Sequence, residues 1–291
     1  MLTCMPMEGG VSREVAERDI VLTYILKMMK EDGVLANLAF KGGTCIRKIY
    51  LGNLGRFSED LDFTLIGYDL SSFEYKFGYF INNSNKYGFT LEEKNVRKKW
   101  GKSFACDLNY SHEWFSSSFK FEVSLREDPI IPLVDKHIKD EIYFKYTDFE
   151  PFSVPCMCLE EVLSEKIRAT YQRGTARDYF DLFQFAGRPY DREVVKELVV
   201  LKFWNDRSDY DPHLFFDKVK REKIDFSDVQ YLLKDQEPPE EEEIKTQILD
   251  NYDYLSELNT SLDEIRNDNR KHRKEKDVKK LIRKLRQRKS L

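Results

Sequence analysis

The sequence is poor in the features that would place it outside the cell or in a membrane. It has five cysteines in 291 residues, an odd number at irregular spacing, which is a poor disulfide framework. Cys156 and Cys158 form C-x-C, but no second pair and no nearby histidines complete a zinc set. Cys45 and Cys106 read most simply as small buried apolar residues. No run of about 18 apolar residues occurs, so nothing predicts a membrane span. The N-terminal stretch MLTCMPMEGGVSREVAERD lacks the charged-then-apolar pattern of a secretory leader. The expectation is a cytoplasmic protein with no membrane partner. No internal repeat is present.

What the sequence does have is a globular composition, 41% apolar and 14% aromatic. Its net charge of −4 hides an asymmetry. Residues 261–291 hold 13 Lys/Arg against 5 Asp/Glu, a balance of +8, so the rest of the chain carries −12. A basic tail on an acidic body points to an anionic partner such as nucleic acid.

Periodicity divides the chain in two. Residues 13–30 carry apolar side chains at helical spacing. NLAFKGG reads as a strand ending in glycines, and TCIRKIYL as a short helix with Thr44 at its start. DLDFTL alternates and reads as a strand. SSFEYKFGYFINNSNKYG reads as a helix with a serine cap and a glycine stop. SFACDLNY and SFKFEVSL are two more strands. Beyond Pro155 the character becomes helical, over 159–173, 175–186 and 191–204. KDQEPPEEEE (234–243) is a break before a charged helical tail. The expected fold class is α+β: a mixed-sheet domain over 1–154, then a helical domain over 155–291 with a basic tail from about residue 244.

Alternate strand residues share a face. In DLDFTL, Leu61, Phe63 and Leu65 point one way and Asp60, Asp62 and Thr64 the other. Asp60 and Asp62 are then about 6.6 Å apart at Cα. That separation lets side chains converge on metal ions about 3.5–4 Å apart. In SFKFEVSL the polar face is Lys120, Glu122 and Ser124, which makes Glu122 a third carboxylate if the strands are neighbours. Such alternation is also what any half-buried strand with a wet face shows. Two like charges on that face are costly without a counter-charge, either a metal or a basic group. The glycines add a second feature. Gly42 and Gly43 let the backbone approach a ligand closely, and the helix start that follows offers N–H groups to a phosphate.

Two motifs carry a resemblance. KGGTCIRKIY…RFSEDLDF resembles the AbiEii/MenT family of nucleotidyltransferase-fold toxins, whose superfamily signature is Gly-Gly or Gly-Ser followed by Asp-x-Asp. The signature falls here on Gly42, Gly43, Thr44, Asp60 and Asp62. Downstream, LSEKIRATYQRGTARDYFDL is similar to the family's second motif, on Lys166, Arg173, Arg177, Asp178 and Asp181. Together the motifs span about residues 15–186. Thr44 stands where the superfamily often has serine.

The resemblance implies a nucleotidyltransferase fold and an enzyme that transfers NMP from an NTP. Asp60, Asp62 and Glu122 would hold one or two Mg²⁺ ions. Gly42, Gly43, Thr44 and Ser58 would contact phosphates. Lys166, Arg173 and Arg177 would bind the triphosphate, with Asp178 as a further catalytic residue. It also implies an RNA acceptor, with the tRNA 3′ end foremost, arrest of translation, and a cognate antitoxin as partner. Transfer to a protein or small molecule, phosphoryl transfer, and a non-catalytic nucleotide- or RNA-binding module remain open alternatives.

The second motif also has plain structural readings. On a helical wheel Lys166 and Arg173 share the apolar face of Leu159, Val162, Leu163 and Thr170. An inward lysine needs an anion, either the carboxylates or a triphosphate, unless it snorkels to water. TARD fits a capping box with Thr175 as N-cap, and Arg177 and Asp181 can pair along the helix. In the tail, Val278, Leu281, Ile282 and Leu285 share one helical face. That face predicts docking on the body, RNA contact or membrane-surface contact.

Overall fold

The computed structural model describes residues 11–67, 69–113, 115–146, 149–233 and 239–290. Residues 1–10, and the 234–238 part of the expected break, lie outside the described residues. The chain forms two compact units. The first runs through Pro129, continues over Leu133–Met157 and includes a short return at Leu232. The second takes Ile130–Pro132, Cys158–Tyr231 and the chain from Gln236 on. The fold is α+β, as the sequence predicts.

The first unit is built on a seven-stranded mixed sheet. Its strands are β1 (Leu38–Lys41), β2 (Leu61–Leu65), β3 (Thr90–Lys99), β4 (Ser103–His112), β5 (Phe115–Ser124), β6 (Val134–His137) and β7 (Ser153–Cys156). Their order is β3-β4-β5-β2-β1-β7-β6. β1 runs antiparallel to β2 and parallel to β7, and β2 runs parallel to β5. The neighbourhood of the SFKFEVSL strand and the DLDFTL strand is therefore direct. Leu61, Phe63 and Leu65 are buried as the alternation requires. The Phe63 ring lies tilted between Phe40 and Phe121, with centroids 5.3 and 5.4 Å away, which extends one apolar face across three strands.

Helix α1 (Arg13–Glu31) starts at Ser12, whose hydroxyl accepts from the Val15 N–H. Helix α3 (Leu70–Asn82) packs Phe73 and Phe77 on Phe104 and Phe121 of the sheet. Its cap is Asp69 rather than a serine, with Oδ1 accepting from the Ser72 N–H at 3.0 Å. It ends at Asn83, five residues before the expected Gly88, because side chain and backbone of Asn83 both bond the Tyr79 carbonyl.

Helix α2 (Gly42–Cys45) begins directly at Gly42, not at Thr44, and passes into a π-helical turn over Ile46–Leu51. The wide turn sends both Arg47 and Lys48 inward. Buried charge needs a partner. Arg47 bonds Asp19 at 2.9 Å, Lys48 pairs with Asp19 and Glu141, and Arg47 lies 3.8 Å over the Phe57 ring. The Asp19 carboxyl is strongly desolvated, yet the two cations hold it below the usual range. Four described cysteines, Cys45, Cys106, Cys156 and Cys158, are free and buried.

The second unit is helical: α4 (Leu159–Gln172), α5 (Ala176–Phe185), α6 (Arg192–Asn205), α7 (Pro212–Arg221), α8 (Ser227–Gln230), α9 (Glu241–Asn251), α10 (Thr260–Arg266) and α11 (Glu275–Ser290). The first three match their predicted spans within two residues. α6 is almost wholly buried and forms the spine, with Lys202 held by Glu161 at 2.8 Å. The basic tail helix α11 buries Val278 and Leu285. Its Arg288 bonds Asp191 and Glu197, and Lys289 bonds Glu160. Docking on the body is thus the role visible for this face. Among the described residues no helix is long and apolar enough to cross a membrane.

Candidate active site

The Gly-Gly-Thr turn lies between two strands and seats the segment that carries the carboxylates. Gly42 has φ +77°, a conformation that glycine adopts without strain. A Cβ there would overlap Asp62 Oδ2 and stand 2.8 Å from the Asp62 Cβ. A Cβ on Gly43 would stand 2.8 Å from Ser58 Oγ and 2.9 Å from Arg56 Nη2. The missing side chains are therefore filled by Asp62 on one side and by Ser58 and Arg56 on the other. Thr44 is fully buried, and its hydroxyl donates to the Asp60 carbonyl. It pins the carboxylate segment to the turn, and serine would keep that bond.

Asp62 sits in β2, flanked in register by Lys41 on β1 and Glu122 on β5. Asp60 precedes the strand, and its Oδ1 accepts the Lys120 backbone N–H at 3.2 Å. Both aspartates are partly exposed. Glu122 shares their face, and its carboxylate pairs with Lys120 on the same strand. Partial burial opposes the Lys120 charge, but Glu122, Asp62 and Asp60 together hold its ammonium above its ordinary range. Lys120 is thus a basic counter-charge to this acidic face. Its place was visible in the alternation of SFKFEVSL, but its pairing was not. Arg56, buried against the Gly43 backbone and donating to the Phe57 carbonyl at 3.1 Å, was likewise visible only as the first residue of RFSEDLDF. Next to them, Arg18 holds Glu59 at 2.6 Å and so anchors the same segment.

Among the described residues no three His, Cys, Asp or Glu are gathered as a metal-holding group. Asp60 and Asp62 nevertheless fit magnesium by donor chemistry. Mg²⁺ is commonly held by one or two carboxylates with substrate phosphates completing its shell, rather than by an all-protein cage. Gly42, Gly43, Asp60 and Asp62 are all partly exposed, so that backbone and carboxylates can both meet a ligand.

The residues of the second motif form an ion cluster within the helical unit. Lys166 on α4 points inward, as the wheel predicts, and its anionic partners are on α5: Asp181 at 2.7 Å and Asp178 at 3.3 Å. Arg173 grips Asp178 with two bonds, Nε at 2.7 Å and Nη2 at 3.0 Å. Burial would raise the Asp178 pKa, but the Arg173 bonds and the charges of Lys166 and Arg173 pull it well below the usual carboxylate range. Thr175 is the N-cap, but its hydroxyl donates to the Asp178 carboxylate at 2.7 Å instead of accepting a helix N–H. The expected capping box is therefore not formed: the Asp178 carboxylate is taken up by two cations and the Thr175 hydroxyl. Arg177 donates to the Tyr231 hydroxyl and lies 5.8 Å from its ring centre, while Asp181 serves Lys166.

Comparison with known proteins bears on this arrangement. A family model described as "Nucleotidyl transferase AbiEii toxin, Type IV TA system" matches residues 25–288. No curated protein matches by sequence. Among solved structures, the chain is similar to MenT4, a nucleotidyltransferase toxin from Mycobacterium tuberculosis, with a TM-score of 0.79 at 24% identity over 94% of this chain and 93% of that one. That likeness speaks to the fold. A second match, JHP933 from Helicobacter pylori, has a TM-score of 0.49 at 19% identity over 84% of this chain and 94% of that one, and carries no weight here. With nine-tenths of its length inside the family model, the chain belongs to the AbiEii family of nucleotidyltransferase toxins of type IV toxin–antitoxin systems.

Proposed function

We propose that this chain transfers a nucleoside monophosphate from an NTP to an RNA hydroxyl, the tRNA 3′ end being the acceptor, in a Mg²⁺-dependent reaction that stops translation. The observation that carries the reading is the seating of Asp62 against Gly42, beside Asp60 and the Gly43–Ser58–Arg56 contact. The acceptor oxygen would attack the α-phosphorus, the bond to the β-phosphate oxygen would break, and pyrophosphate would leave. Asp60 and Asp62 would hold Mg²⁺, which supplies charge stabilisation for attacking and leaving oxygens when bound. Gly42 and Gly43 expose backbone to the phosphates, and Ser58 and Arg56 offer a hydroxyl and a cation beside them. Thr44 acts through Asp60, as a positioning residue. Glu122 reaches this chemistry only as Lys120 yields it. Lys166, Arg173 and Arg177 are the cations assigned to polyphosphate charge, with Asp178 fixing the first two. The family implies a cognate antitoxin as a partner.

The test is incubation with Mg²⁺, each α-labelled NTP in turn, total tRNA and cell protein, with Asp62→Ala as control. Label on RNA that the control lacks supports the reading and names the nucleotide. Label on protein alone sinks the RNA acceptor. Label from γ-phosphate alone replaces nucleotidyl by phosphoryl transfer. Nucleotide binding without any turnover leaves a binding module.

A further inference from the structure

The edge of the sheet carries a feature that the proposed chemistry does not use. Five of the nine residues from Lys94 to Lys102 are Lys or Arg and none is acidic. They form the end of β3 and its turn into β4. After Leu91, β3 buries no side chain, and Trp100 at the turn is 95% exposed. Lysines on an edge strand are a common guard against strand pairing with other chains. That accounts for the charge but not for an indole held fully in solvent at the tip.

Register ties this hairpin to the carboxylates. Residues paired across adjacent strands share a sheet face. Asp62 pairs with Glu122, Glu122 with Ala105, and Ala105 with Arg97. Two residues further along, and so on the same face, Ser124 pairs with Ser103 and Ser103 with Lys99. Arg97 and Lys99 therefore lie on the same face as Asp62, three strand spacings away, or about 14 Å. The opposite face, through Phe104 and Phe121, is the one covered by α3. Arg97 is set by Asp107, at 2.8 Å, and Lys98 by Glu74 of α3. Lys99 and Lys102 are exposed and make no ion pair among the described residues.

Cations spaced along an extended edge, with a flat aromatic between them, match the two recurring needs of a single-stranded nucleic acid: backbone charge and a stacking surface for an unpaired base. The geometry points to the β3–β4 hairpin as the docking element for the single-stranded end of the RNA acceptor, with a base on Trp100 and phosphates at Lys99, Lys102 and Arg97. This rests on the RNA reading given above and assigns it a place: the strand end enters over the sheet edge and runs along the polar face towards Asp62.

The experiment uses the full chain and a fluorescein-labelled single-stranded oligoribonucleotide, read by anisotropy at several salt concentrations, beside the transfer assay on total tRNA. Trp100→Ala weakens binding about tenfold and Trp100→Phe restores most of it, as stacking requires. Lys99→Ala lowers the slope of log affinity against log salt by about 0.7, the value for one phosphate of a single strand. In transfer, both raise KM for RNA with kcat little changed. If the natural chain labels RNA but these variants bind and react as it does, this inference falls and the RNA reading stands. If the natural chain neither binds nor labels RNA, both fall. If Trp100→Ala leaves RNA affinity intact but lowers the mass in solution, the hairpin is an interface between copies and the inference is overturned.

Discussion

Gly42 and Asp62 occupy each other's space: a Cβ on the glycine would overlap the aspartate's Oδ2. Gly42→Ala therefore does two things. It puts alanine at φ +77°, which costs about 1–3 kcal/mol. It also pushes the carboxylate away, and a displacement near 1 Å can cost about a hundredfold in rate. Gly33→Ala is the control, since Gly33 has φ +70° with nothing near its Cβ position. Urea unfolding should show similar losses for both variants, while only Gly42→Ala loses transfer. Equal transfer in the two would remove the assignment of Asp62.

Lys120 balances Asp60, Asp62 and Glu122, and all three raise its pKa. Its ammonium therefore competes with any other cation for those oxygens. Lys120→Met should tighten metal binding about tenfold, the lower end of what an opposite charge at contact does to a carboxylate. Titration calorimetry with Mg²⁺ or Mn²⁺ reads this directly. Unchanged metal affinity with a raised KM for NTP would instead give Lys120 to the nucleotide.

How far the sequence alone reaches can be seen at these residues. β2 was legible because one of its faces is buried, so Leu61, Phe63 and Leu65 alternate with Asp62 and Thr64. The helices α4 and α5 were legible for the same reason at period 3.6, whereas α6 is buried nearly all round and shows as a long apolar segment. β3 was not, since beyond Leu91 no side chain needs burying and a bulge between Lys94 and Arg97 breaks its period. The Gly-Gly turn announced a close approach, but only the fold says that Asp62, Ser58 and Arg56 fill it. Cross-strand neighbours such as Lys120 and Glu122 depend on register, and a buried Arg47–Asp19 pair depends on a π-turn, which propensity does not encode. Lys166 was read as inward, and its partners Asp178 and Asp181 were already in the motif.

Asp178 ties Lys166, Arg173 and Thr175 together. Its folded pKa lies below the ordinary 3.8, so it binds protons less readily folded than unfolded. The stability it contributes is present above pH 3.8 and is lost as pH falls below that value through its depressed native pKa. Asp178→Asn breaks a buried ion cluster and should cost about 3 kcal/mol at pH 7. Urea midpoints at pH 7 and in acid check the sign: the gap between natural chain and variant must narrow as pH falls. A gap that widened in acid would show that folding raises the pKa of the aspartate instead of lowering it.

The tail helix is held by charge as well as by Val278 and Leu285. Arg288 reaches Asp191 at 3.0 Å and Glu197 at 3.3 Å, and Lys284 also approaches Glu197. Arg288 is about a third exposed, so the coupling should be modest, about 0.5–1 kcal/mol, and should weaken in salt. A double-mutant cycle of Arg288→Ala and Glu197→Ala, run at low and high salt, measures it. Leu285→Ala should cost more, about 2–4 kcal/mol, because its side chain is fully buried. If the arginine were held out for RNA rather than for the body, the cycle would show no coupling and Arg288→Ala would change RNA affinity instead. The contacts to Asp191 and Glu197 favour the first outcome, and the exposed cations of the same helix are Lys276, Lys279, Lys280, Arg283, Lys284 and Arg286.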